Sequence, residues 1–67
     1  MTMQEAIAAL GINRARYELK NMIHALCFAS YLNTEEDEKR LSAARYVLRH
    51  WRAYQEACNK ARDKRAF

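Results

Sequence analysis

Asn33-Thr34-Glu35-Glu36-Asp37-Glu38, residues 33–38, mark where one helix stops and another starts. Asn or Thr can accept from the unbonded N–H groups of a helix start, Thr34 and Asp37 approximate a capping box, and four carboxylates suit the positive end of the helix dipole. Downstream, Leu41, Ala44, Leu48, Trp51, Gln55 and Cys58 recur at spacings of three and four, flanked by Ala43, Val47, Tyr54, Ala57 and Ala61. That broad apolar stripe predicts a helix over about 35–64. Lys60, Arg62, Lys64 and Arg65 suit its negative end, and the last few residues are expected to fray.

Upstream, Ile12, Ala15, Leu19, Met22, Ile23, Leu26 and Ala29 form a second stripe, and Met3, Ile7 and Leu10 a third in a different phase. The phase changes at Leu10-Gly11-Ile12-Asn13. Gly at a helix end followed by Asn as an N-cap explains such a shift. The spacing therefore predicts a short helix at 3–10 and a longer one at 14–32, with a break near Gly11. With the turn at 32–34, antiparallel helices set Leu19 against Leu48, Leu26 against Leu41 and Ile23 against the smaller Ala44, as interdigitated packing requires. The expected fold is all-α, an antiparallel helical hairpin in a single domain spanning 1–67. Two helices cannot cover stripes this wide. Phe28, Tyr31, Val47, Trp51 and Tyr54 are the candidate interface residues, and pairing with a second copy into a dimeric helical bundle is the expected way to cover them.

Composition agrees with this picture. No Pro and one Gly leave little to break a helix. No segment alternates apolar and polar residues with β-branched enrichment, so strands have no support. The 51% hydrophobic content includes twelve Ala; Leu, Ile, Val and Phe together supply only 12 of the 67 residues. Chains this short bury only about 60% of their unfolded surface, so the core is thin and calls for a partner. No stretch reaches the ~18 apolar residues of a membrane span, and the N-terminus lacks the pattern of a signal peptide. Two Cys without such a signal point to reduced thiols and a cytoplasmic location.

Residues that carry chemistry elsewhere do not converge here. His24 and Cys27 share a helix face, but His50 and Cys58 lie further from the turn by roughly 10–27 Å at 1.5 Å per residue, beyond metal–ligand bonding. The same displacement excludes a Cys27–Cys58 disulfide within the chain. Both Cys are expected as buried small hydrophobes, and the histidines as helix-surface residues. Two thin helices supply no cleft for a nucleophile, base and orienting group. No enzyme activity, metal, cofactor or small-molecule substrate is expected.

Charge is uneven: net +1 over residues 1–34, −4 over 35–38 and +7 over 39–67, for +4 in all. Arg45, Arg49 and Arg52 form a row on one helix face, and with a pI near 9.4 nucleic acid is the alternative partner. Glu56 and Asp63 interrupt the row, and a solvated outer face is the plainer explanation.

The segment Glu5-Ala6-Ile7-Ala8-Ala9-Leu10-Gly11-Ile12-Asn13-Arg14-Ala15 resembles the helix-turn-helix of Fis-type DNA-binding proteins, which have a similar Ala-rich first helix and a Leu-Gly-Ile-Asn-Arg-like turn. The resemblance implies a degenerate helix-turn-helix at residues 3–20, with Asn13 capping the second helix and Arg14 and Arg16 approaching DNA. It departs at Ile7, where the family prefers a small residue, at Lys20, where it keeps an apolar one, and at Glu18, which would face phosphates. The size and the paired amphipathic helices Arg14–Leu32 and Glu35–Lys64 also resemble small early-region accessory proteins of lambdoid bacteriophages. That likeness implies a non-enzymatic protein acting on a host factor. The function expected from the sequence is thus an interaction or regulatory protein that binds a macromolecular partner through a helical surface.

Overall fold

The structure, a computed structural model, describes residues 1–65, with side chains as far as Ala61. The side chains of Arg62, Lys64 and Arg65 and the expected fraying of the last residues lie outside the described portion. Among the described residues there are four α-helices and no strand: α1 (Met3–Leu10), α2 (Arg16–Phe28), α3 (Glu35–Arg49) and α4 (Trp51–Arg65), with a 3₁₀ turn at Ser30–Leu32.

α3 is the centre of the molecule. α1 and α2 each pack against it, and they have almost no contact with one another. Ala43 and Ala44, both fully buried, present no side chain beyond Cβ, so two helices can approach α3 closely. Ala6, Leu10, Leu19, Leu41, Val47, Tyr54 and Cys58 are the other buried apolar residues. The apolar stripes expected to need a second copy are thus partly covered by α1, whose position the pairing of two long helices did not anticipate.

The helix boundaries at residues 33–35 follow the local sequence. Thr34 accepts from the Asp37 N–H (3.2 Å) and the Asp37 carboxylate accepts from the Thr34 N–H (3.1 Å), a full capping box. Asn33 works in the other direction, its side-chain amide donating to the Leu26 carbonyl at 2.8 Å near the end of α2. That end comes earlier than expected: α2 stops at Phe28 and the chain tightens into the 3₁₀ turn before Asn33.

Two boundaries depart from expectation for tertiary reasons. α2 begins at Arg16, not 14, and Asn13 does not cap it; the N-cap position is Ala15, which makes no side-chain cap. Asn13 instead takes a left-handed conformation (φ 62°), tolerated by Asn. Its N–H donates to the Cys58 sulfur at 3.4 Å, and the next N–H, of Arg14, donates to the Tyr54 hydroxyl at 3.1 Å. Gly11, at φ 87° and ψ 177°, occupies a region essentially restricted to Gly.

The long helix expected over 35–64 is interrupted at His50, which leaves helical geometry (φ −118°, ψ 46°) without a Pro or Gly. Its N–H is shared between the Tyr46 and Val47 carbonyls at 3.1 and 3.2 Å. The interruption reorients α4 so that Tyr54 donates to the Gly11 carbonyl at 2.8 Å and Cys58 meets Asn13. These bonds join α4 to the α1–α2 loop. The molecule is elongated, 43 × 20 × 18 Å, with a radius of gyration of 12.5 Å against about 11 Å for a compact chain of this length.

Candidate functional site

The five residues expected at an interface separate into two groups. Val47 and Tyr54 are 0% and 1% exposed, so neither offers surface to a partner. Their expected exposure is corrected by α1 and the α1–α2 loop, which close over them. Trp51 is half-buried, its ring stacked on Tyr54 at 5.5 Å between centroids. Phe28 and Tyr31, by contrast, are 93% and 86% exposed. They are joined by two residues that sequence reasoning passed over, Leu32 at 69% and Tyr17 at 68%. A signal for Tyr17 existed: it precedes Phe28 by eleven residues, about three helical turns, and so shares its side of α2.

That side of α2 is built by default. Leu19 is the one fully buried residue of α2, with Met22, Ile23 and Leu26 half-buried on the same flank toward α3. At 100° per residue, Tyr17, Asn21, His24 and Phe28 fall on the opposite flank, and all four are exposed. Large aromatic side chains in water on a helix that already has a packed face form a surface beyond the needs of the fold.

The basic residues do not form one row. Arg45 and Arg49 border a groove with Met1, Ser42 and Tyr46. Arg52, beyond the break at His50, borders a separate open cleft of about 440 Å³ with Asn13, Arg14 and Trp51. Arg14 is held by its own chain, donating to the Leu10 carbonyl at 2.8 Å and to Glu18 at 3.3 Å. Arg16 lies over the Trp51 ring, 5.3 Å from its centroid, in cation–π geometry. Arg45 donates to the Cys27 sulfur at 3.4 Å. Arg49 and Arg52 are exposed and make no ion pair among the described residues.

Cys58 is buried, as expected of a small hydrophobe, whereas Cys27 is exposed at the edge of α2 beside Arg45 of α3; both are free thiols. Among the described residues no group of three His, Cys, Asp or Glu gathers to hold a metal ion. No helix among the described residues is long and apolar enough to cross a membrane. Tyr54 is a titratable group that the fold perturbs. Burial pushes its hydroxyl above its ordinary value near 10, and the nearby Cys58 adds to this, partly opposed by the hydrogen bond from the Arg14 N–H. Tyr54 serves as a fastener between helices, since its hydroxyl bonds to backbone on both sides.

Compared with protein-family models, curated proteins and solved structures, the chain matches none.

Proposed function

We propose that this chain is a non-enzymatic protein-binding module: a helical hairpin of α2 and α3, braced by α1, that presents the outer flank of α2 and the turn after it to a protein partner. The observation that carries this is the near-complete exposure of Phe28 and Tyr31. Aromatic side chains are enriched at interface centres because each buries about 150–250 Å² with few rotatable bonds, and here the fold itself makes no use of them. A second copy of the chain, giving a dimeric helical bundle, is among the partners this face fits. The likeness to phage early-region accessory proteins makes host proteins the first heterologous partners to screen.

A nucleic-acid reading draws on different residues. Arg49 and Arg52 are exposed and unpaired among the described residues, but the break at His50 divides them between two grooves. A backbone of evenly spaced phosphates favours a continuous track of cations, so the aromatic face is the better-supported site.

One experiment separates the two. Tagged wild-type protein, a Phe28→Ala/Tyr31→Ala variant and an Arg49→Ala variant are used to capture partners from cell extract with and without nuclease. Capture that survives nuclease and is lost in the aromatic variant is the expected result. Capture undiminished in the aromatic variant removes the protein-binding face, and nuclease-sensitive capture weakened by Arg49→Ala moves the assignment to nucleic acid.

A further inference from the structure

We infer that the occupant of the outer flank of α2 is a second copy of this chain, bound with the two α2 helices antiparallel; the inference rests on the protein-binding reading of that flank. Tyr17, Asn21, His24 and Phe28 are spaced four, three and four residues apart, and all are exposed. That is the spacing at which the side chains of one helix seat between those of another. The order of residue types is symmetric about the middle of α2: an aromatic at each end and two hydrogen-bonding side chains between them. A two-fold interface requires that if one residue meets another, the second also meets the first. An antiparallel pair satisfies this, setting Tyr17 against Phe28 of the second copy and Asn21 against His24 of the second copy.

Charge chooses the direction. Arg14, Arg16 and Lys20 stand at the start of α2, while Glu35, Glu36, Asp37 and Glu38 follow its end. Glu35, Glu38 and Lys20 form no ion pair among the described residues and are exposed. Antiparallel helices bring the basic start of one α2 to the acidic end of the other, and the helix dipoles also oppose favourably. Parallel helices would set the basic starts against each other and the acidic ends against each other. Like charges suppress a wrong arrangement more than matched charges strengthen a right one. The area is also sufficient. Tyr17, Phe28 and Tyr31 expose about 500 Å² per copy, so up to about 1,000 Å² of aromatic surface is available to a pair, with Asn21, His24 and Leu32 adding to it, near the size at which specific interfaces begin.

The test uses the full chain with Cys27→Ser, which leaves the buried Cys58 in place. In the antiparallel register, position 18 of one copy lies beside position 25 of the other on the same edge of the seam, Glu18 being half-buried and Ala25 exposed in the single chain. Glu18→Cys protein is mixed with Ala25→Cys protein and oxidised, while sedimentation equilibrium measures the mass of the Cys27→Ser parent. The expected results are a dimer in the micromolar range and disulfides joining the two different variants in excess of those joining like with like. Phe28→Lys, checked for an unchanged helical circular dichroism spectrum, should raise the dimer dissociation constant at least tenfold. A parent that stays monomeric at 100-fold higher concentration overturns the second-copy assignment. A dimer in which the mixed disulfide is not in excess overturns the antiparallel register, and a dimer indifferent to Phe28→Lys overturns the choice of face. The protein-binding reading fails separately, if the aromatic variant captures partners as well as wild type does.

Discussion

Tyr54 shows how one side chain can set the arrangement of a small molecule. Its ring lies in the core and its hydroxyl both donates to the Gly11 carbonyl and accepts from the Arg14 N–H. Gly11 and Asn13 have positive φ, so the intervening loop is held in a conformation that local preference alone does not favour. Tyr54→Phe keeps the ring and leaves a carbonyl and an N–H without their partner. A loss of about 1–3 kcal/mol in urea denaturation is expected. The raised pKa of Tyr54 has a definite sign in the pH profile. In the unfolded chain the phenol ionises near 10, while in the folded chain it holds its proton to higher pH. Above about pH 10 the native state therefore binds more protons than the unfolded state, and stability falls as pH rises. Below that pH the contribution is complete. Denaturation midpoints measured between pH 8 and 11 should decline in wild type more steeply than in Tyr54→Phe.

At the scale of elements, local chemistry governs some boundaries and tertiary contact governs the others. The start of α3 is local: the Thr34–Asp37 capping box forms between residues three apart, and it was legible in the sequence for that reason. Thr34→Ala should destabilise the protein by about 1 kcal/mol, read as a lowered midpoint in thermal unfolding followed by circular dichroism. A variant as stable as wild type would show that the acidic first turn suffices without the cap. The extent of α1 was legible for the same reason, since Gly11 ends it. The start of α2 and the break at His50 were not legible. Asn13 carries the composition of an N-cap, but its N–H is taken by Cys58, forty-five residues away. Nothing near His50 in sequence breaks a helix; the cause lies in the seats that Tyr54 and Cys58 find beside the α1–α2 loop.

At the scale of the molecule, α3 serves as a shared support for two helices that scarcely touch each other. Ala43 and Ala44 make this possible by their size, and neither has exposed surface. Ala43→Leu adds volume where none is free, at a cost of about 1–3 kcal/mol. Urea denaturation followed by Trp51 fluorescence should register this loss, and an unchanged midpoint would mean that the packing around α3 relaxes freely. The same architecture explains the candidate site. α2 is held by one fully buried residue and three half-buried apolar ones, and its outer flank has no use within the chain. A partner on that flank would both cover the aromatics and secure the helix.

The sequence by itself determined the all-helical class, the stop and start at residues 33–35, the end of α1 and the aromatic character of Phe28 and Tyr31. Each of these depends on side chains within a few residues of one another, where spacing along the chain is also spacing in space. Only the tertiary structure decided that α1 folds onto α3, that Val47 and Tyr54 are covered, that the Arg row divides at His50 and that Tyr17 and Leu32 stay in water. Those outcomes depend on which apolar stripe finds which, a competition among three amphipathic helices for the surface of α3. Pattern along a single helix shows which side is apolar, but the neighbour that covers it is chosen by packing across the whole chain.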